Sequence, residues 1–345
     1  MAKRKSIGIR DVARESKASL TTVSLVLNKR DPHISPATRA RVLETANRLG
    51  YQPSRLAQGL QAQKSGLLAI LVPQLQHAFA DAYFGELISA IHSHANSADY
   101  KILLEVFNPK FIEAKEYLSL FDRHVVDGMF CLGATNTDQF LGDFEDGDRP
   151  LLIVNNYLPT RSLNHVRCDY REAGRLAARH LLDHGHRHIG LLHGASEVQT
   201  TWDLRAGMEE VLSGAGLPLQ KHNTEDGLYT EEGGSVAAVR LLKREPTITG
   251  LVAGNDKMAI GAISGLKESG IHVPKDVSVV GCDDMHQAAY CDPPLTTVHT
   301  PLYEIGERAC KRLLEIVNGR ESQVAETYPV TLTIRKSVSS PRQMN

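Results

Sequence analysis

Polar side chains stand directly after several apolar, strand-like runs, where a small-molecule site would draw its hydrogen-bonding groups. These pairs are Asn155 and Asn156, Asn255 and Asp256, and Asp283 and Asp284. Arg205 adds a fork-shaped guanidinium one turn into a predicted helix that starts near Trp202. Amides, carboxylates and a guanidinium that converge on one cleft suit the vicinal hydroxyls of a sugar, because each hydroxyl both donates and accepts. Taken singly, Asp256 and Asp284 are equally well explained as helix or turn caps.

Aromatic side chains add a second indication of a ligand cleft. Phe79 and Tyr83 follow the first apolar run, Leu67–Val72, and Trp202 is the only tryptophan of the chain. An aromatic ring packs on the apolar face of a sugar and stacks equally well on a purine. We therefore expect Trp202 to line the cleft, with ordinary helix packing as its alternative role. A sugar is favoured over a purine because the polar residues that follow the strands outweigh the aromatic residues.

The sequence around His184, His186 and His188 invites a metal-site interpretation. Gly185, however, suits the position after a helix end and Ile189 begins a strand, so the three histidines are predicted to lie on a turn. The five cysteines contain no CxxC pair, which indicates buried reduced thiols. The sequence also lacks a GxxxxGK(S/T) loop, a GxSxG elbow and an HExxH helix. We expect neither an enzyme nor a cofactor or metal site.

The elements that must position these residues alternate between strand and helix patterns from Gly66 onward. The predicted strands are Leu67–Val72, Ile102–Val106, Gly128–Leu132, Leu151–Val154, Val166–Cys168, Ile189–His193, Leu251–Ala253 and Val277–Gly281. The predicted helices are Phe84–Asn96, Phe111–Asp122, Tyr170–Asp183, Trp202–Ser213, Glu231–Lys243 and Asp256–Ser269. Repeated strand–helix units predict parallel sheets covered by helices, and two such sets predict two lobes. Facing lobes form a cleft at the carboxyl ends of their strands, where open parallel sheets bind ligands.

Charge divides the chain into two parts of opposite sign. Residues 1–64 carry 13 Lys and Arg and four acidic residues, a balance of +9, whereas the remainder has a balance of −10. A small basic unit joined to a larger acidic one indicates that the first part meets a nucleic-acid backbone. No apolar run approaches the roughly 20 residues of a membrane-spanning helix and no signal-peptide pattern is present, so we expect a cytoplasmic protein.

The basic part has the pattern of three short helices. Ser19 is a natural N-cap for the second helix, and Ser35, Pro36 and Gly50 mark the start and the end of the third. The predicted apolar stripe of the third helix is Val42, Leu43, Ala46 and Leu49. The first two helices, joined by a tight turn, have the spacing of a helix-turn-helix, whose second helix enters the major groove of DNA. From these patterns alone, a generic small helical bundle is an equal alternative.

Five motifs stand in register along this part of the chain. They are Ile9–Ala13, Ser19–Ser24, Val26–Asn28, Ile34–Arg39 and Leu49–Ser54. Together they resemble the headpiece of the lactose/galactose repressor (LacI/GalR) family. The resemblance implies that Leu20 and Thr21 point at base edges, which carry sequence information, while other residues hold phosphates. The phosphate-holding residues are Ser19, Thr22, Ser24, Asn28 and Tyr51, and the further residues implied at the DNA are Arg10, Leu25, Ser54, Arg55, Ala57 and Leu60.

Two positions depart from the family pattern. Leu25 stands where the family usually has an arginine that can grip a guanine, and leucine offers only apolar contact, such as with a thymine methyl. We therefore expect a different preferred base there. Lys17 stands where the turn usually carries a glycine, which costs about 1 kcal/mol if the backbone is left-handed.

The stretch Pro53–Leu60 resembles the family's hinge helix, which forms when two copies meet in the minor groove. The resemblance places Leu60 where the family inserts a leucine between central base steps and kinks the duplex. Gly59 weakens this helix by about 1 kcal/mol relative to alanine. We hypothesise that the hinge orders only on DNA and that the sensor regulates this ordering cost. An inert linker is the alternative.

Further motifs of the same family follow in order in the larger part of the chain. They are Thr201–Gly207, Gly254–Gly261, Val279–Asp284 and Pro294–Val298. They resemble the family's sensor, an α/β periplasmic-binding-protein-like core of two Rossmann-like lobes. The residues implied to hold the effector are Asn155, Arg205, Asn255, Asp283 and Thr300, with Phe79, Tyr83 and Trp202 as aromatic residues of the cleft.

The implied organisation is a three-helix, helix-turn-helix DNA-binding headpiece at residues 1–52, a hinge helix or linker at 53–65, a two-lobed effector-binding and dimerisation domain at 66–337 and a tail at 338–345. The first lobe is predicted to take about 66–160 and 300–326, and the second about 161–299 and 327–337.

The expected protein is a repressor that binds a near-palindromic operator as a homodimer, because one headpiece reads only a half-site. A small molecule, most simply a mono- or oligosaccharide, releases it. A purine corepressor that strengthens DNA binding is the alternative within this class. A sugar-binding receptor of the same fold is the alternative from another class, which the basic headpiece disfavours. Only Val338–Asn345 follow the last motif, where tetrameric relatives carry a leucine-rich helix, so a dimer is the largest assembly expected.

Overall fold

The computed structural model describes residues 7–27, 33–51, 64–74 and 81–341. Packing divides these residues between two units. The headpiece unit comprises the described residues of Met1–Gly66 together with Asp122–Asp127, and the sensor unit comprises those of Leu67–Phe121 and Gly128–Asn345.

Three helices lie within the described residues of the headpiece unit. They are α1 (Ile9–Ser16), α2 (Leu20–Leu27) and α3 (Pro36–Leu49). Their buried apolar contacts come from Val12, Ala13, Val23, Val26, Val42 and Ala46. Both predicted N-caps are confirmed, since Ser19 Oγ accepts from Thr22 N at 3.0 Å and Ser35 Oγ accepts from Thr38 N at 3.3 Å. These caps fix where α2 and α3 begin.

The predicted apolar stripe of α3 is wrong at one position. Leu43 is 43% exposed, whereas Thr45 is buried with Val42 and Ala46. Residues three and four apart share one face of a helix, so Val42, Thr45, Ala46 and Leu49 turn inward while Leu43 turns about 100° away from Val42.

Lys17 ends α1 in the left-handed backbone conformation, with φ 50° and ψ 41°. The structure therefore confirms the strain expected where the family has a glycine. The conformation lets the Lys17 and Ala18 amides donate to the last carbonyls of α1, those of Arg14 and Ala13. This conformation is strained for a residue with a Cβ, whereas glycine adopts it without strain.

We predict that Lys17→Gly raises the free energy of unfolding of the headpiece helices by about 1 kcal/mol. Hydrogen exchange of α2 and α3 amides in the intact chain measures this quantity. Lys17→Ala is the matched control, because it removes the charge but keeps the Cβ. An equal gain in Lys17→Ala would show that charge, and not the left-handed turn, limits stability.

The first lobe of the sensor unit is built on a fully parallel sheet. Its strands are β1 (Leu67–Pro73), β2 (Lys101–Phe107), β3 (Gly128–Leu132), β4 (Leu151–Val154), β5 (His165–Cys168) and β11 (Ala325–Tyr328). They lie in the order β11–β5–β4–β3–β1–β2. The accompanying helices are α4 (Ala82–Ser97), α5 (Pro109–Glu113), α6 (Glu116–Asp122) and α11 (Leu302–Val317), with a 3₁₀ turn at Gln139–Phe144. Strands β3 and β4 are buried along their whole length, as the continuous apolar runs of parallel sheets require.

The second lobe repeats this arrangement. Its strands are β6 (Ile189–His193), β7 (Thr224–Asp226), β8 (Gly250–Ala253), β9 (Ser278–Asp283), β10 (Thr296–His299) and β12 (Thr331–Thr333). Their order is β12–β10–β9–β8–β6–β7, and β12 alone among these strands runs antiparallel to its neighbour. The accompanying helices are α7 (Tyr170–Asp183), α8 (Gln199–Gly214), α9 (Glu231–Arg244) and α10 (Asp256–Glu268), with 3₁₀ turns at Lys221–Asn223 and His286–Ala289. In both lobes the strand order reverses beside the first strand, between β1 and β3 and between β6 and β8.

The chain passes between the lobes after β5, after β10 and after β11. The first predicted lobe boundary, near residue 160, is therefore wrong: His165–Cys168 pairs with β4 and β11 and belongs to the first sheet. The boundary predicted at 326 likewise falls inside β11, whose pairing with β5 extends to Tyr328. Backbone pairing between distant segments decides both positions, and no local pattern marks them.

Other elements differ from the sequence prediction in their bounds. The predicted helix Phe111–Asp122 is interrupted, because Lys115 has φ 48° and separates α5 from α6. Helix α8 begins at Gln199, three residues before Trp202. Strand β9 extends to Asp283, so that this carboxylate is its last residue.

Helices α9 and α10 touch through glycines. A Cβ on Gly261 would lie 1.9 Å from the carbonyl oxygen of Glu231, and a Cβ on Gly234 would lie 2.2 Å from that of Met258. Only glycine permits this backbone contact, which holds Glu231 beside the first turns of α10.

The histidine turn is structural, as predicted, and Gly185 has φ 93°. His186 is buried: Nδ1 lies 2.9 Å from Thr249 Oγ1, and Nε2 lies 3.0 Å from Ser278 Oγ and 2.9 Å from the Ser339 carbonyl. Burial lowers the pKa of His186. The ring therefore joins the turn to β9 and to the C-terminal segment in its neutral form.

We predict that His186→Ala lowers the free energy of unfolding of the sensor unit by about 2–3 kcal/mol, because it removes the ring that pairs with the buried Thr249 hydroxyl and leaves a cavity in its place. Urea denaturation followed by circular dichroism measures the change. The exposed His188 provides the control, since His188→Ala should stay within about 0.5 kcal/mol of the parent. Equal effects of the two substitutions would contradict the structural role of His186.

Candidate functional site

The first turn of α2 carries side chains that are exposed to solvent. Leu20 is 47% exposed and Thr21 is exposed as well, while Val23 and Val26 of the same helix are buried. Ser19 Oγ lies 2.8 Å from Thr22 Oγ1 and caps the helix. The exposed first turn therefore carries an apolar side chain and hydroxyl groups, which suit base edges and phosphates.

The structure describes some of the other residues that were predicted to contact DNA, but not all of them. Arg10 is exposed, Ser24 and Leu25 are half-buried on α2, and Tyr51 packs against the headpiece core. Asn28, Ser54, Arg55, Ala57 and Leu60 lie outside the described residues, as do Phe79 of the predicted cleft and most of the predicted hinge. Their roles stay predictions.

A cavity of about 340 Å³ opens in the sensor unit at the carboxyl ends of its strands. Segments that follow β1, β7, β8 and β9 contribute its walls. The lining residues are Asp81, Ala82, Tyr83, Glu231, Asn255, Asp256, Lys257, Ile260, Asp283, Met285 and Gln287. Most of these residues have polar or charged side chains, and a cavity of this size suits a small ligand that offers hydrogen-bonding groups.

Asp283 is a buried acid of this cavity, with 7% of its surface exposed. Burial, with the nearby carboxylates of Asp256 and Asp81 adding to it, raises the pKa of Asp283 well above its ordinary value. Among the described residues, the Thr300 hydroxyl supplies its side-chain hydrogen bond, at 3.4 Å. The backbone at Asp283 has φ 115°, which strains a residue with a Cβ. An incompletely paired, buried carboxylate in a strained position is typical of a binding site.

Asn155 lies behind the cavity and joins the two lobes. Its Nδ2 donates to Tyr83 Oη at 3.0 Å and to Tyr170 Oη at 2.9 Å, and its Oδ1 accepts from Cys168 N at 2.9 Å. Tyr83 belongs to α4 of the first lobe and Tyr170 begins α7 of the second. Asn155 is buried with φ 53°, a conformation that asparagine tolerates better than most residues. It therefore positions Tyr83, which does line the cavity.

Two polar contacts that the sequence analysis did not foresee border the cavity. Lys257 Nζ of α10 lies 2.5 Å from Asp81 Oδ2, across the two lobes. Asp81 also caps α4, because its Oδ1 accepts from Tyr83 N at 2.9 Å. Position directly after a strand identified the neighbouring Asn255, but nothing local to Lys257 indicates a partner that is 176 residues away.

Asp256 and Asp284 stabilise loops, as expected of turn caps, and Asp256 also lines the cavity. Asp256 accepts from Thr297 Oγ1 at 2.5 Å and from Met285 N at 2.6 Å, and burial raises its pKa to about 7. Asp284 is bound by Arg335 Nη2 at 2.6 Å. The contacts of these acids with Met285 and Arg335 hold the segment after β9 in place.

The structure brings together only part of the predicted effector set. Tyr83, Asn255 and Asp283 line the cavity, and Asn155 and Thr300 lie directly behind it. Two further predicted residues do not line the cavity as described. Trp202 is 45% exposed and its Nε1 donates to the Ser196 carbonyl at 2.7 Å, while Arg205 Nε pairs with Glu209 at 2.7 Å. Their contact with an effector stays a prediction.

Within residues 7–27, 33–51, 64–74 and 81–341, no three His, Cys, Asp or Glu side chains are arranged to hold a metal ion. In the same residues no helix is both long and apolar enough to cross a bilayer. All five cysteines are free thiols, four of them buried and Cys291 half-buried.

We predict that Asn155→Asp lowers the free energy of unfolding by about 2–4 kcal/mol near neutral pH, because it places a negative charge in a buried position. The deficit should narrow in acid, where protonation of the carboxyl group removes this charge. Urea titrations at several pH values measure both effects. The exposed Asn136 gives a control, and an Asn155→Asp protein as stable as Asn136→Asp would contradict the bridging role.

Comparison with known proteins gives two family matches. Residues 8–54 match the family described as bacterial regulatory proteins, lacI family, and residues 178–338 match the periplasmic binding protein-like domain. The chain is 30% identical to catabolite control protein A of Priestia megaterium, covering 91% of this chain and 93% of that protein. It is 31% identical to the HTH-type transcriptional repressor PurR of Pasteurella multocida (strain Pm70), covering 96% of this chain and 98% of that protein.

Solved structures agree with these relatives. The lac repressor dimer bound to operator and the anti-inducer ONPF matches with a TM-score of 0.86 and 26% identity, over 97% of this chain and 100% of that chain. The complex of the transcriptional regulator CelR with cellobiose matches with a TM-score of 0.74 and 26% identity, over 96% of this chain and 99% of that chain.

Proposed function

Because this chain belongs to the LacI family of bacterial regulatory proteins and is a DNA-binding transcription regulator, we propose that it is a repressor controlled by a small molecule. Its operator is a near-palindrome read by a homodimer, since each headpiece reads one half-site. The effector is a sugar that binds in the cavity of the sensor unit and releases the operator. The protein acts by binding and catalyses no reaction.

The exposed first turn of α2 supports the DNA-binding half of this proposal. Leu20 and Thr21 lie at the start of a capped helix in a part of the chain with a balance of +9. Positive charge supplies most of the affinity for any duplex, whereas the exposed side chains of a recognition helix discriminate between bases. The related lac repressor structure is a dimer on its operator.

The observation that supports a small-molecule effector is the set of polar residues that line the cavity at the strand ends. Asn255, Asp283 and Gln287 supply amide and carboxylate groups on one side, and Tyr83 supplies a ring on the other. This pairing suits a sugar, which presents hydroxyls at its edge and C–H bonds on its face. The related CelR structure contains cellobiose.

A purine corepressor is the second candidate. The ring of Tyr83 can stack on a nucleobase as well as on a sugar, and several relatives at 30–32% identity are named PurR repressors. The two candidates differ in the sign of the response, because a corepressor strengthens operator binding and an inducer weakens it.

The proposal is tested by selecting duplexes from a random library with the intact protein at moderate ionic strength. The selected sites are then titrated with and without a panel of sugars and purines. We expect a near-palindromic consensus and a sugar that weakens binding tenfold or more. A purine that strengthens binding would favour the second candidate. No preference for any duplex over random competitor would contradict the proposed function.

We predict that Leu25→Arg changes the selected base at one position of each half-site toward guanine, because an arginine donates to guanine O6 and N7. Discrimination at that position should shift by about 1–3 kcal/mol. Parallel selections with the parent, Leu25→Arg and Leu25→Lys measure the change, and lysine serves as the control for added charge. An unchanged consensus in Leu25→Arg would show that this residue does not face a base.

A further inference from the structure

An ion pair joins the two lobes at the wall of the cavity. Lys257 Nζ, on α10 of the second lobe, lies 2.5 Å from Oδ2 of Asp81, which precedes α4 of the first lobe. The Lys257 side chain is 29% exposed and the Asp81 side chain 15%, so salt screens the pair only partly. We infer that this pair is a latch, which favours the arrangement in which the lobes touch and thereby sets operator affinity before an effector binds. The second half of this inference rests on the proposed function, because it requires a link between lobe arrangement and operator affinity.

Each partner of the latch is held in place by its own lobe. Asp81 caps α4, since its Oδ1 accepts from Tyr83 N at 2.9 Å while its Oδ2 faces Lys257. Lys257 lies in the first turn of α10, and Asn255 caps this helix by accepting from Met258 N at 2.9 Å. Because both charges stand at the start of a capped helix, a change in the separation of the lobes changes the distance between them directly.

The lobes also touch away from the cavity. The Asn136 amide of the first lobe donates to the Glu197 carbonyl of the second at 2.7 Å. Asp203 of the second lobe accepts from Tyr157 Oη at 3.2 Å and lies 3.5 Å from Arg167 Nη1, both on the first lobe. None of these five residues is among those that line the cavity as described. Their contacts therefore report the arrangement of the lobes without containing a residue of the latch.

The latch loses more than these contacts do when the lobes separate. Asp203 keeps a hydrogen bond from Gln199 of its own lobe, at 3.1 Å, and the Arg167 guanidinium keeps its place over the Tyr157 ring, 4.2 Å from the centroid. Among the described residues, the ion-pair partner of Lys257 is Asp81 of the other lobe. Separation therefore leaves two partly buried charges without each other, which is costlier than an exchange of partners.

The direction of the effect on the operator follows from the walls of the cavity. Residues of both lobes line it, so an effector contacts both walls only while the lobes touch. A sugar that releases the operator thus favours the same lobe arrangement as the latch, and this arrangement holds the operator less tightly. Loss of the latch should shift the sensor away from it and tighten operator binding without sugar. For a corepressor the sign is reversed.

Hydrogen exchange of the Asn136 amide in the intact protein measures the separation of the lobes, because this amide donates across them. The Thr135 amide is the internal reference, since it donates at 2.7 Å to Asp138 Oδ2 of its own loop. Both amides are resolved singly, by NMR or by electron-transfer fragmentation. We expect Lys257→Met to speed exchange at Asn136 by about fivefold or more and to leave exchange at Thr135 unchanged.

Further variants assign the effect to the ion pair. Asp81→Asn keeps the α4 cap, since asparagine caps as well as aspartate, and should speed exchange at Asn136 as Lys257→Met does. The double variant should add little to either single change, because the two residues share one interaction. Lys257→Arg keeps the charge and should retain slow exchange. Lys267→Met is the matched control, because it removes an exposed lysine of the same helix that pairs with the exposed Asp292.

The same variants are titrated without sugar against the duplex selected by the parent protein. We expect Lys257→Met and Asp81→Asn to bind it about threefold or more tightly than the parent, and Lys267→Met to bind it as the parent does.

Exchange at Asn136 that stays slow in both latch variants would overturn the inference, whatever sugars do to operator binding. Faster exchange with unchanged operator affinity would overturn its second half, and a sugar that releases the operator from the parent would then uphold the proposed function. Faster exchange with weaker operator binding would support the latch and overturn the direction derived for a sugar inducer.

Discussion

The side-chain amide of Asn155 is the contact on which the geometry of the cleft depends. It is buried, and it donates at once to Tyr83 on the first lobe and Tyr170 on the second. A movement that separates these tyrosines leaves a buried donor unpaired, at a cost of about 1–3 kcal/mol. One residue therefore links the separation of the lobes to the position of a ring that lines the cavity. A ligand that prefers one lobe arrangement can shift this equilibrium only by its difference in affinity for the two arrangements.

Parallel strands explain why the binding groups converge. Both sheets place the carboxyl ends of their parallel strands along one edge, and both reverse their strand order beside the first strand. Ligands of such sheets bind beyond the carboxyl ends at the reversal, where neighbouring loops diverge and leave a crevice. The cavity uses segments after β1 and β8, which flank the reversals, and adds Asp283 at the end of β9. Because the buried strands hold these loops in place, the residues of the loops, and with them the ligand that is bound, can differ without a change of fold.

Local patterns in the sequence predicted the elements whose cause is local. Strand β3 could be assigned to the residue from its continuous apolar run, and α3 from Ser35, Pro36 and Gly50. Strands β7, β10, β11 and β12 were not predicted, because they are short and partly polar and their neighbours in the sheets define them. Asn255 and Asp283 could be predicted from their positions after strands. The pairing of Lys257 with Asp81 at the cavity could not, because it joins residues from different lobes.

We propose above all that binding of the sugar in the cavity and binding of the operator by the headpieces are coupled. The most direct measurement is a closed thermodynamic cycle with the selected operator and the sugar that binds most tightly. The Kd of the sugar is measured with and without saturating operator, and the Kd of the operator with and without saturating sugar. We expect both ratios to be equal and about tenfold or more, because coupling between two binding sites is reciprocal. Ratios of one in both directions would contradict the claim.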